Sequence, residues 1–290
     1  MRESMETDQK IIRPESVKAF EEYLVERENS SATIEKYLRD VRTFLRYMGA
    51  GGVMRKDLLL AYKSWLLEHY SVNSVNSMLV ALNQFLTFLE LGRMRLKRVK
   101  IQTQHLRPAE RDLGKGDFQK LVRCARASGC EQTAMIMETI GATGVRVSEL
   151  KFFRVENVRS GMIRVQNKGK YRMVLLPKLL QKKLLLYTRK YGIYSGVIFR
   201  TRSGRAKDRS NIWKDMKRAA QMAGVNTDKV FPHNFRHLFA RTFYKQTKNL
   251  INLADILGHS SVDVTRIYAS EGIAEWQKNL ERVNLLEVTT

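Results

Sequence analysis

Four separated segments carry side chains whose types fit chemistry at a phosphate. Thr143-Gly144-Val145-Arg146-Val147-Ser148-Glu149-Leu150 sets an arginine just after a glycine, with an acid three residues on. Asn167-Lys168-Gly169-Lys170 puts lysines at a tight turn. Phe231-Pro232-His233-Asn234-Phe235-Arg236-His237 starts a helix after a proline, with His233 and Arg236 one turn apart on one face. Leu257-Gly258-His259-Ser260-Ser261 precedes Thr265-Arg266-Ile267-Tyr268-Ala269. Two arginines can hold the non-bridging oxygens of a phosphodiester and neutralise charge developing at phosphorus. A tyrosine with a pKa near 10 is only about one-thousandth ionised at neutral pH, so as a nucleophile it needs a base or a strong local field. Histidine can take that proton, and a lysine can protonate a departing 5′ oxygen.

Taken singly, each residue has a plainer reading. Arg146 suits a surface charge, Lys168 a solvated turn, His233 and His259 helix caps, and Tyr268 packing. His233, His237 and His259 would make an incomplete zinc site, with no cysteine near and no fourth ligand. There is no acidic cluster for two metals and no GxxxxGK[ST] phosphate loop, which argues against two-metal nucleases and P-loop ATPases.

The elements that must position these residues are mostly helical. Pro14 suits a first helical turn, with Val17, Phe20 and Leu24 following on one face. Asn29-Ser30-Ser31 supplies N-cap chemistry for a second helix, whose Ile34, Tyr37, Leu38, Val41, Phe44, Leu45 and Met48 form an apolar stripe ended by Gly49, Gly51 and Gly52. Leu58, Tyr62, Trp65 and Leu66 mark a third helix, and Val75 through Leu89 a fourth. Residues 1–92 therefore read as a compact four-helix domain. Arg93–Arg111 holds seven Lys/Arg and one acid, Glu110, and reads as a basic interdomain linker. Residues 112–290 read as mainly helical with one strand pair, Met162–Gln166 and Tyr171–Leu176, joined by hairpin-turn residues. Helices are expected from Gly116 through Met137 and around Lys178–Lys190, Arg209–Ala223 and Asn234–Thr247.

The charge is as uneven as the chemistry. The 290 residues carry a net +23, yet residues 1–92 hold 12 basic and 13 acidic side chains. The excess lies beyond them and is densest over Lys178–Arg218, with 13 Lys/Arg against Asp208 and Asp215. Such a balance favours a polyanion, with steeply salt-dependent binding. With 43% hydrophobic and 9% aromatic residues the chain is globular, and no apolar run of about 18 residues could span a membrane. The polar start lacks a signal peptide's apolar stretch, and Cys124 and Cys130 make neither a disulfide framework nor CxxC. A reduced, cytoplasmic and nucleoid-associated protein with no membrane partner is expected.

Four boxes, ATGVRVSEL, NKGKYRMVLLP, HNFRH and LGHSSVDVTRIYA, resemble in order and spacing those of the tyrosine recombinases, the lambda-integrase-like family. The resemblance runs from about Pro14 to the tail and is nearest the compact two-domain members, the Xer-like dimer-resolving enzymes and small mobile-element integrases. It implies an N-terminal SAM-like core-binding domain and a mixed α/β, mostly helical catalytic domain with a small antiparallel sheet. By the same resemblance, Tyr268 is the nucleophile, forming a 3′-phosphotyrosyl link in site-specific recombination through a Holliday junction. Arg146 and Arg236 clamp the phosphate, Lys168 protonates the leaving oxygen (Lys170 being the alternative), and His233 is the general acid/base. His259 hydrogen-bonds the phosphate, and Glu149 is a supporting acid. Phe235 stands where leucine is commoner, a difference expected to touch packing only.

No cofactor or metal is expected, because the exchange conserves a phosphate ester bond. The expected partner is double-stranded DNA with simple core sites bearing short inverted repeats, since little chain precedes Pro14 for an arm-site domain. The linker cations Arg93, Arg95, Lys97, Arg98 and Lys100 are expected to touch DNA. A homotetramer is expected to form on DNA through the apolar tail face of Ile273, Trp276, Leu280 and Val283. An accessory protein or partner recombinase stays open. A type IB topoisomerase-like enzyme or a non-catalytic DNA-binding regulator are the alternatives, and a structural scaffold explains the charge but not the boxes.

Overall fold

The computed structural model describes residues 15–49, 53–100, 112–167, 169–259 and 261–268. Lys168, Arg111 and the tail positions Ile273, Trp276, Leu280 and Val283 lie outside the described residues, as does Pro14. The chain divides into two compact units, Met1–Thr103 and Gln104–Thr290.

In the first unit, helices α1 (Glu15–Glu26), α2 (Ser31–Met48), α3 (Lys56–His69) and α4 (Val72–Phe88) pack together, α2 against α4 most extensively. Serines start two of them: Ser30 accepts from the Thr33 N–H at α2, and Ser71 from the Ser74 N–H at α4. Gly49, at φ +80°, closes α2, a backbone angle that a side chain resists. The apolar stripes meet in a core containing Phe20, Phe44, Tyr62 and Phe85, with Phe20 and Phe85 edge-on at 5.1 Å between ring centroids. This unit does not stop at Gly92. Met94 and Leu96 are buried in the same core, so the first half of the basic segment lies on the helices, where the charge pattern alone reads as a tether.

In the second unit, α6 (Glu131–Thr143) is central, packed by α5 (Lys115–Ala127), α8 (Lys178–Lys190), α9 (Arg209–Met222) and α10 (Pro232–Thr247). Strands β1 (Met162–Asn167) and β2 (Lys170–Leu175) pair antiparallel, with Ile163 opposite Val174 and Val165 opposite Arg172. The Asn167–Lys170 pairing leaves only two residues in the turn, and Gly169 at φ +75° gives it the left-handed backbone that tight hairpins need. Ile163, Val165 and Val174 face the core. Five short elements of this unit go beyond the sequence expectation: 3-10 helices at Val147–Phe152 and Thr227–Lys229, α7 (Val155–Ser160), α11 (Leu250–Leu257) and α12 (Asp263–Arg266). The 3-10 helix at Val147–Phe152, α11 and α12 carry or border the boxes. No helix among the described residues is long and apolar enough to cross a membrane.

Candidate active site

The site begins where α6 ends. Gly144 caps the helix at φ +64°, its N–H bonded to the Ile140 carbonyl. A Cβ there would lie 2.5 Å from Phe239 and 2.8 Å from Leu257, so glycine also permits this close approach of segments. The chain then turns, and Arg146 opens the 3-10 helix. The buried carboxylate of Glu149 takes the Arg146 backbone N–H at 2.8 Å and its Nη1 at 3.1 Å. The same carboxylate accepts from Nη2 of Arg172 at 2.7 Å, so one buried acid orients two arginines. Arg172 reaches it from the inward face of β2 and also donates to the Ile256 carbonyl at 2.7 Å. It passes so close to Gly258 that a Cβ there would sit 2.3 Å from Arg172 Cδ.

Arg236 is almost wholly buried, 1% exposed, on the first turns of α10. Proline at the first position of that helix costs no hydrogen bond, because the N–H it lacks would have no partner within the helix. The Arg236 guanidinium donates to the carbonyl oxygens of Gly144 and Leu257, the latter at 2.7 Å. A third contact joins Arg236 Nη2 to His259 Nε2 at 3.0 Å. Since a guanidinium only donates, His259 Nε2 accepts, and its proton sits on Nδ1, which faces Thr265 Oγ1 at 2.8 Å. Burial, with Arg146 close by, pushes Arg236 down to about 10, leaving it charged at neutral pH. Burial first, then Arg236, Arg146 and Arg172, push His259 down to about 4, so its ring is neutral at pH 7.

Tyr268 follows α12 and packs in a small cluster with Ala240, Leu253 and Leu257. Its ring lies between two histidines, 5.2 Å from His237 and 6.3 Å from His259, stacked on the latter. His237 is buried and in turn lies 4.3 Å from His233. His233, Arg146, Arg236, Arg209 and Trp213 line a cleft of about 400 Å³. Tyr268 and Arg236 are electrostatically linked, with a negative phenolate favouring the arginine's charge.

Arg146, Glu149, His233, Arg236, His259 and Tyr268, named from the sequence, are thus gathered in the second unit from segments more than a hundred residues apart. Lys170 is exposed at the start of β2, and Lys168 is outside the described residues. Arg93, Arg95, Lys97, Arg98 and Lys100 belong to the first unit and are exposed. Three residues absent from the sequence-derived set join the cluster: Arg172, His237 and Thr265. Strand alternation could have found Arg172, which shares the inward face with Val174, and helical spacing could have found His237, one turn after His233. Among the described residues no three His, Cys, Asp or Glu are placed to hold a metal ion.

Comparison with known proteins gives one answer. The sequence model of the "Phage integrase family" matches residues 111–273, and that of "Phage integrase, N-terminal SAM-like domain" matches residues 17–92. The tyrosine recombinase XerA of Thermococcus kodakarensis is 29% identical over 283 residues, covering 94% of this chain and 96% of its own. A lambda integrase dimer bound to a core site superposes with a TM-score of 0.70 at 16% identity, over 97% of this chain and 81% of that one. A lambda integrase tetramer bound to a Holliday junction gives 0.65 at 17% identity, over 85% and 77%.

Proposed function

Because the chain belongs to the phage integrase family, the tyrosine recombinases, and so is a site-specific DNA breaking-and-rejoining enzyme, we propose that Tyr268 attacks the scissile phosphate held by Arg146 and Arg236. The phenol oxygen forms a bond to phosphorus, the bond to the 5′ oxygen breaks, and a 3′-phosphotyrosyl ester remains. The phenol proton leaves to a base, and the released 5′ oxygen takes up a proton. His233, open to the cleft and in ring contact with His237, which in turn contacts Tyr268, is the base of this reading. Lys168, with Lys170 as its alternative, is the acid of this reading. Strand exchange is the same chemistry run in reverse by a different 5′ hydroxyl, and it consumes no ester bond.

The electrostatics suit an arriving anion. Arg146 and Arg236 already stand side by side and depress the basicity of His259. A phosphate between them offsets that effect, raising the ring's affinity for a proton and making His259 a competent donor to the phosphate. Glu149 and Arg172 act through Arg146, holding it rather than touching substrate. The observation that carries the reading is the convergence of both arginines, both histidines and the tyrosine in one cluster of the second unit.

The partner in this reading is duplex DNA with core sites, bound by an assembly like the lambda integrase tetramer on its Holliday junction. The apolar tail positions Ile273, Trp276, Leu280 and Val283 are the proposed link between protomers in that homotetramer. No observation favours a relaxing enzyme without exchange, or a non-catalytic regulator. The test incubates the protein with a nicked genomic duplex library in EDTA, stops it with detergent and sequences the DNA still attached to protein. Adducts that disappear in Tyr268→Phe support the reading; adducts that persist in it, or none from folded protein that binds the library, overturn it.

A further inference from the structure

Two asparagines on α4 treat the segment after the helical bundle as a neighbouring strand. Asn83 Nδ2 donates to the Leu96 carbonyl at 2.9 Å, and its Oδ1 accepts the Leu96 N–H at 2.8 Å. Asn76 repeats the exchange with Val99, at 3.0 and 2.8 Å. The spacing explains why both pairings close. Seven helical residues rise about 10.5 Å, and three extended residues advance about 9–10 Å, so the two ladders run in register. From α3, Lys56 donates to the carbonyls of Met94 and Arg95 at 2.8 and 2.9 Å, and Lys63 to that of Lys97 at 2.7 Å. Met94 and Leu96 point into the core, while Arg93, Arg95, Lys97, Arg98 and Lys100 all stand exposed.

We infer that this strap is a preorganised rail for the phosphate backbone of duplex DNA, and that Asn76 and Asn83 are the positioning residues that hold its cations on display. The inference rests on the reading that this chain grips DNA. A loose basic segment must lose backbone freedom when it binds, an entropy cost that weakens its affinity. Here that freedom is already lost on folding, so each cation meets a phosphate without further ordering. Lys56 and Lys63, turned onto carbonyl oxygens, serve the strap and not the phosphates. The rail also concentrates positive charge on one edge of a first unit whose residues 1–92 alone hold 12 basic against 13 acidic side chains.

The test compares full-length wild type, Asn76→Ala/Asn83→Ala and Lys97→Gln/Arg98→Gln, reading duplex affinity against salt together with amide hydrogen exchange. Leu96 and Val99 amides are expected to be protected in wild type and to exchange faster in the asparagine variant. That variant should bind duplex about tenfold more weakly with its salt slope retained, because the cations remain but are no longer held. The cation variant should lower the slope by about 1.8, near 0.9 for each phosphate it no longer neutralises. Wild-type affinity in the asparagine variant, despite faster exchange at Leu96 and Val99, would overturn the inference, as would an unchanged slope in the cation variant. If the double alanine variant loses its folding transition, Asn83→Ala alone, which removes one of the two exchanges without changing the charge, carries the same comparison. Wild type that binds no duplex at all would instead sink the DNA reading itself.

Discussion

The two units bury different things. Among the described residues of the helical unit, the buried side chains are apolar apart from the Tyr62 hydroxyl and Asp40, which pairs with Lys36 one turn earlier. In the second unit Thr133, Thr139, Thr143, Glu149, Thr188, Asn234, Arg236, His237 and Thr265 are all buried. Apolar burial stabilises without fixing where any one atom sits. Buried polar groups have to find partners at defined distances and angles, so they fix position at the expense of tolerance. The helices of the first unit therefore hold together by packing, with hydrogen bonds kept for the strap along its edge, and the second unit uses buried hydrogen bonds to hold a few atoms ready for chemistry.

By that contrast, a large hole in the first unit should cost stability and spare the chemical step. Phe85→Ala, in the fully buried aromatic cluster, should destabilise its unit by about 3–5 kcal/mol. Cleavage on saturating nicked duplex, at a temperature where the variant is folded, should keep its wild-type rate. The second unit should show the opposite pattern at Arg236. Arg236→Lys keeps a positive charge but cannot serve two carbonyls, His259 and a phosphate at once, so cleavage should fall about 10²–10³-fold. A drop of less than threefold in single-turnover cleavage would remove this arginine from the phosphate.

Two smaller changes act on the His259 ring of the second unit. Thr265→Val preserves shape but strips the partner from His259 Nδ1, and should cost the second unit about 1–3 kcal/mol in denaturant unfolding. Acidification gives the smallest effect. His259 is pushed down to about 4 in the folded protein, against an ordinary value of 6.5. Between those values the unfolded chain binds the extra proton, so this contribution to stability is complete above about pH 6.5 and is lost as pH falls towards 4. The wild-type transition should drop a few degrees more over that window than that of His259→Gln, and equal drops would contradict the burial of a neutral ring.

Much of this was legible in the sequence, for physical reasons that differ by region. Amphipathic stripes such as Ile34–Met48 announce helices because one face must be buried, and α2 spans Ser31–Met48. The hairpin was legible through its turn residues and alternation, short by one residue at each inner end. Arg146, Arg236, His259 and Tyr268 were legible as a set because their types make sense only together. Arg172 escaped because a charged residue in a basic strand reads as solvated, and only the Glu149 carboxylate on another element draws it inward. The docked strap escaped for a related reason: side chains of Asn76 and Asn83 pairing with a distant backbone leave no periodic trace.

Tyr268, held against His237 and His259 beside two arginines, is the residue proposed to become bonded to DNA. Mass-spectrometric mapping of the peptide linked to a nicked duplex tests it most directly. The expected product is a nucleotide-bearing peptide modified at Tyr268. Attachment at another of the eleven tyrosines, such as Tyr244 packed beside the same apolar cluster, would contradict it.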